Sequence, residues 1–203
     1  MAKKIILALI ILILIASIAF FTIGLPREDI VTIYIDGENV TVDTSTYSDI
    51  NSERLNTEIC DYTIEVMNDT TSNVNTLRDG VKNICNKYGL ENPTITINSS
   101  IGLNQIPVMA YVDGTSMLPT LQDGQQVLIN KTHNIKLGDI VVANSEEYGG
   151  IIKRVGEIDG DQVYLVSDNK EISYEYINDS LYEVQGIQTW VDINDINGVV
   201  IAY

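Results

Sequence analysis

The apolar and polar positions divide the chain into three stretches. Ile5 to Gly24 reads IILALIILILIASIAFFTIG, an uncharged run long enough to cross the hydrocarbon core of a bilayer as one helix. Lys3 and Lys4 precede it, and Arg27, Glu28 and Asp29 follow Pro26. The basic flank places the N-terminus in the cytoplasm and everything after the helix outside. Ala16-Ser-Ile-Ala19 also has the small residues of a signal-peptide cleavage site. The run continues through Phe20, Phe21 and Ile23, however, which favours an uncleaved anchor over residues 1–25.

The second stretch, residues 26–105, mixes two periods. Ile30 to Asp36 (IVTIYID) and Val40 to Val42 are β-rich runs joined by Gly37-Glu-Asn, the pattern of a small hairpin. Leu55, Ile59, Tyr62 and Val66 then recur at three- and four-residue steps, as do Val74, Leu77, Val81, Ile84 and Tyr88. Each set predicts a helix with one apolar stripe. Cys60 falls in the first helix and Cys85 near the end of the second, so an antiparallel pair of helices could join them in a disulfide. Two separate buried thiols are the alternative, because spacing does not fix distance. The predicted location outside the membrane favours the disulfide. Thr94 to Asn98 (TITIN) predicts a further strand, and Gly102 to Pro107 a linker.

From Val108 the period becomes that of strands alone. VMAYVDG, QQVLINK, GDIVVAN, GGIIKRVGEI, DQVYLVSDN, YEVQGIQTWV and GVVIAY are short runs separated by Gly and Asp turns. They predict a mostly antiparallel, coiled or barrel-like β-domain over residues 106–203.

Charge and composition narrow the function. Across 203 residues, 28 Asp+Glu oppose 12 Lys+Arg, a formal net charge of −16. Such a surface repels phosphate backbones, so nucleic acid is excluded as a partner. One His and two Cys are too few for the usual Cys/His zinc sites, and no metal or cofactor is expected. Any triad that needs a histidine would have to use His133, in the loop Lys131-Thr-His-Asn134.

The candidate chemistry lies in Asp113-Gly-Thr-Ser-Met-Leu-Pro-Thr-Leu121. A serine just after a strand and a glycine can present its hydroxyl out of the sheet, while its own N–H helps to bind an oxyanion. The hydroxyl needs a base. Lys153, inside the apolar strand Gly150-Ile-Ile-Lys-Arg-Val155, suits that role if its amine is desolvated, since burial lowers a lysine pKa.

Together these segments resemble the serine-lysine peptidase superfamily that contains type I signal peptidases and LexA-like self-cleaving repressors. GTSMLPTL at 114–121 resembles the serine box; Gly138 to Val142 with Ile152 to Val155 resembles the lysine box; Ser167-Asp-Asn169 resembles the late GDN box. The resemblance implies Ser116 as nucleophile, Lys153 as general base, and Asp168 as a supporting residue near the lysine. It also implies the coiled antiparallel β-fold of that superfamily. Gly114 stands where many signal peptidases carry a hydroxyl for the oxyanion hole, which leaves the Ser116 N–H and, as a supporting group, Thr115.

The repressor branch would need a DNA-binding module, and the acidic chain has none. The expectation is therefore a plasma-membrane serine endopeptidase with its peptidase domain outside the cytoplasm, acting on exported precursor polypeptides. An anchored, non-catalytic binding or assembly protein with the same fold is the alternative.

Overall fold

The computed structural model describes residues 28–171, 173–177, 180–184 and 186–203. The expected anchor over residues 1–25 lies outside this range. Among the described residues, no helix is long and apolar enough to cross a membrane. The described residues form a mostly antiparallel, β-rich fold with two α-helices.

The first unit is a three-stranded sheet under a pair of helices. β1 (Ile30–Ile35) and β2 (Val40–Ser45) form the expected antiparallel hairpin, with Ile35 opposite Val40. At the turn Asp36 accepts from the N–H groups of Glu38 and Asn39, which holds its carboxyl below the usual carboxylate range. β3 (Thr94–Ser99) runs parallel to β1, giving the order β2-β1-β3. Parallel strands need a crossover, and the two helices supply it. α1 (Ser52–Asn68) starts where the Asn51 side chain caps the Arg54 N–H. α2 (Val74–Lys87) starts in a reciprocal capping box between Asn73 and Thr76.

The helical stripes read from the sequence are the faces that pack. Leu55, Ile59 and Val66 of α1 meet Leu77, Val81 and Ile84 of α2 over Val31, Ile33 and Ile35. Ile106, past β3, is buried in the same core.

The expected disulfide is not formed, and Cys60 and Cys85 are free thiols. Cys60 turns toward β2, its Sγ 3.6 Å from the Val40 carbonyl oxygen. Cys85 is enclosed within the core, where burial pushes its pKa up to about 11. The helices do pack side by side, but the two cysteines face different neighbours.

The seven β-rich runs from Val108 onward correspond to the seven strands of one large sheet. These are β4 (Pro107–Tyr111), β5 (Gln126–Asn130), β6 (Ile140–Ser145), β7 (Gly149–Asp159), β8 (Gln162–Val166), β11 (Gln188–Asp192) and β12 (Ile196–Ala202). Their order is β11-β8-β7-β6-β12-β5-β4, and each neighbouring pair is antiparallel. Register shifts in β12 and between Val155 and Glu157 of β7 bend the sheet, as bulges do. β9 (Ser173–Ile177) and β10 (Ser180–Val184) form a separate antiparallel pair that the sequence pattern did not resolve.

The units are joined at several points. The Lys131 ammonium donates to the Asp69 carbonyl oxygen at the C-terminal end of α1, at 2.5 Å. Asn144 Nδ2 donates to Thr70 Oγ1 at 3.1 Å, and the Met109 N–H of β4 donates to the Gly37 carbonyl at 3.2 Å. Gly37 has φ +111, and an added Cβ would lie 3.2 Å from Leu128 and 3.3 Å from Met109. A residue without a side chain therefore lets the hairpin turn sit directly on β4 and β5.

Candidate active site

The serine loop is held from below by packing and from the side by hydrogen bonds. Met117 and Leu121 are fully buried with Val112, Val127, Ile129 and Ile140. Within the loop, the Leu118 N–H donates to Thr115 O, and the Thr120 and Leu121 N–H groups both donate to Met117 O. The loop begins at Gly114, whose φ of +87 is strained for any residue with a Cβ. The turn therefore explains why a glycine stands where a hydroxyl residue is common. Its N–H is capped by Asp123 Oδ1 at 2.8 Å.

Lys153 comes from the middle of β7. Alternation along that strand buries Ile151, Lys153 and Val155 and leaves Ile152 and Arg154 half-buried on the other face. The Lys153 side chain is 3% exposed. Its Nζ lies 2.8 Å from Ser116 Oγ and 2.9 Å from the Ile152 carbonyl oxygen. Desolvation lowers its pKa from the ordinary lysine value. The Ile152 carbonyl accepts a hydrogen bond from one amine N–H, leaving the lone pair of the neutral nitrogen free to accept from the serine hydroxyl.

Asp168 does not lie beside the lysine as expected. Its carboxylate is held in a two-pronged pair with Arg154, Nε to Oδ1 at 2.8 Å and Nη2 to Oδ2 at 2.6 Å. Thr120 Oγ1 donates to the same carboxylate at 2.5 Å. Arg154, ahead of Thr120, holds the Asp168 pKa below its usual value. This arrangement matters for Lys153, because a carboxylate next to the amine would stabilise ammonium and oppose desolvation. Arg154 instead engages the acid on the opposite face of β7. Asp168 supports the site by tying the serine loop to β7.

Asn169 supplies a second tether. Its N–H donates to Ser116 O at 2.9 Å and its Nδ2 to Thr115 O at 3.1 Å. The sequence reading did not single out Arg154, Thr120 or Asn169 as site residues. A signal was present for the first, since Arg154 adjoins Lys153 and so faces the other side of the strand. Thr115 is exposed at the cleft, and among the described residues its hydroxyl has no hydrogen-bond partner. His133 lies in the β5–β6 loop, away from the residues that line the cleft.

These elements enclose a cleft of about 540 Å³. Ala110, Tyr111, Gly114, Ser116 and Gly150 to Lys153 are among the residues that line it. A coiled antiparallel β-domain that places a serine hydroxyl against a desolvated lysine at one cleft defines a peptidase type. Residues 86–189 match the family model described as Peptidase S24-like, and the chain belongs to that family.

Two curated relatives are similar to part of the chain. Signal peptidase I of Bacillus licheniformis is 33% identical over 86 residues, 37% of this chain and 46% of that protein. Signal peptidase IB of Staphylococcus aureus (strain Mu50) is 36% identical over 75 residues, 35% of this chain and 34% of that protein. The matched stretch thus spans less than half the length of either relative.

Proposed function

We propose that the protein is a membrane-anchored serine endopeptidase that cleaves exported precursor polypeptides with Ser116 as nucleophile and Lys153 as general base. The observation that carries this reading is the 2.8 Å contact between Ser116 Oγ and a buried lysine amine that has no carboxylate partner among the described residues. Membership of a peptidase family and similarity to two signal peptidases support it.

In the acylation step the neutral Lys153 amine takes the proton from Ser116 as Oγ bonds to the substrate carbonyl carbon. The Ser116 N–H, with Thr115 beside it, is the candidate donor to the oxyanion that forms. As the C–N bond breaks, the Lys153 ammonium returns its proton to the departing amine. Lys153 then takes a proton from a water molecule as it attacks the acyl ester, and returns that proton to Ser116 Oγ as the ester C–O bond breaks. Asp168 and Asn169 keep the serine loop in register with β7 through these steps.

Ile5 to Gly24 supports anchoring with the N-terminus inside and the peptidase domain outside. The test uses the full chain in membranes with an exported precursor. Ser116→Ala and Lys153→Ala should each reduce cleavage by about three orders of magnitude or more while the fold persists. Lys153→Arg should be equally inactive, because guanidinium stays charged. His133→Ala should cleave normally. Normal cleavage by Lys153→Ala would remove the proposed base. If the wild type cuts no precursor, an anchored, non-catalytic binding role becomes the better reading.

A further inference from the structure

The cleft has a charge pattern that neither the serine nor the lysine requires. Asp113, just after β4, and Glu171, just after the Asn169 tether, both line it. Both are exposed. Among the described residues, neither carboxylate has a hydrogen-bond or ion-pair partner. The nearby polar groups are otherwise engaged: Asp123 caps Gly114, and the Lys170 ammonium donates to Ser167 O at 2.7 Å.

A third carboxylate, Glu147, lies in the β6–β7 turn beside Tyr148, which lines the cleft, and raises the pKa of its hydroxyl. Asp113 and Glu171 come from separate segments and line the same cleft, and Glu147 adjoins it through Tyr148. Among the described residues that line the cleft, Lys153 is the one cation, and it must be neutral to act as a base. The working cleft is therefore anionic along its walls.

We propose that Asp113 and Glu171 select polypeptides with a basic side chain close to the scissile bond and disfavour acidic ones. This inference rests on the peptidase reading of the cleft and adds a substrate class to it. Both carboxylates line the same cleft as Ser116, so a Lys or Arg beside the scissile bond of a bound peptide can reach one or both. Such contacts are solvent-exposed, so the preference is modest and falls with salt. Roughly a three- to tenfold ratio in kcat/KM between Lys and Glu is expected at the best position.

The experiment uses the full chain and internally quenched peptides with one alanine-rich core, in which Lys, Ala or Glu occupies each of the nearest positions on either side of the cut. At one or more positions Lys should exceed Ala, and Ala should exceed Glu. The order should flatten at about 0.5 M NaCl, where the screening length is roughly 4 Å. Asp113→Asn and Glu171→Gln should each shrink the Lys/Glu ratio, and the double variant should bring it near one. Asp79→Asn, on the exposed face of α2, removes the same charge far from the cleft and should leave the ratio unchanged. If Asp79→Asn lowers it as much, long-range attraction by the acidic chain explains the effect and the inference is wrong. Cleavage without any Lys preference, or a preference that survives the double neutralisation, also overturns it while leaving the peptidase reading intact. Cleavage of none of the peptides counts against the peptidase reading itself, and this inference falls with it.

Discussion

Lys153 is where function and stability oppose each other most directly. Burial disfavours its charged form, so its pKa in the folded chain lies below the ordinary value of 10.5. Two consequences differ in kind. Cleavage should rise with pH as the amine loses its proton through that lowered pKa, and fall as acid restores the ammonium. Stability also depends on pH, because between the folded pKa and 10.5 the unfolded chain binds more protons than the folded one. Over that window Lys153 contributes a slope in which stability increases with pH. Lys153→Met keeps the apolar stem and removes the penalty. It should abolish cleavage and raise the melting temperature by roughly 2–4 °C at pH 7, for about 1 kcal/mol of relieved desolvation. A melting temperature that falls on substitution would show that the amine is a net stabilising contact.

At the scale of elements, the late loop binds the serine loop to β7. Asp168 is the joint, accepting from Arg154 on β7 and from Thr120 in the loop. Asp168→Asn keeps the shape but loses the charge. It should cost about 1–2 kcal/mol, a value reduced because the Arg154 side chain is 33% exposed. Thermal melts should show the loss in full above pH 3.8, the usual aspartate value. It should shrink as pH falls through the lower folded pKa, where the wild-type carboxyl is also protonated. A difference that persists unchanged in strong acid would mean that shape, not charge, holds the joint.

This joint also marks the limit of what could be read from the sequence. The strands of the large sheet and both helical stripes were legible because burial on one face imposes a regular period. The serine loop and Lys153 were legible through their apolar surroundings and their resemblance to known boxes. The Arg154 partner of Asp168 was not legible, because the resemblance groups residues by order along the chain and does not show which face of β7 each side chain takes. The cysteines failed for a related reason. Helical spacing put both on packed helices, but not the rotation that turns Cys60 to Val40 and encloses Cys85 in the core. The β9–β10 pair was not legible because β10 is followed within four residues by β11, so that 182–191 reads as one β-rich run.

Across the whole molecule, the helical unit and the β-domain share side chains. Ile106 belongs to the helical core, Val108 packs against that core, and Ala110 packs into the β-domain, so β4 is anchored at both ends. Lys131 fastens another point, its buried ammonium at the carboxyl end of α1. Lys131→Ala would lose a charge-assisted hydrogen bond and the packing of its stem. A cost of about 2 kcal/mol, or roughly 4–8 °C, is expected. Calorimetry should still show one transition, because the shared strand makes the units melt together. Two separate transitions in the wild type would contradict that coupling.

The Gly37 contact affects how this chain meets other chains. β4 is the outermost strand on its side of the large sheet, and an outermost strand offers unpaired N–H and C=O groups to any extended polypeptide. The hairpin turn occupies the Met109 N–H, so the upstream part of that edge is already capped. The stretch beyond it, from Tyr111 toward Gly114, leads directly into the cleft. Strand pairing along β4 is thereby confined to the stretch next to the cleft, and the capped part of this strand offers no free edge to a second chain.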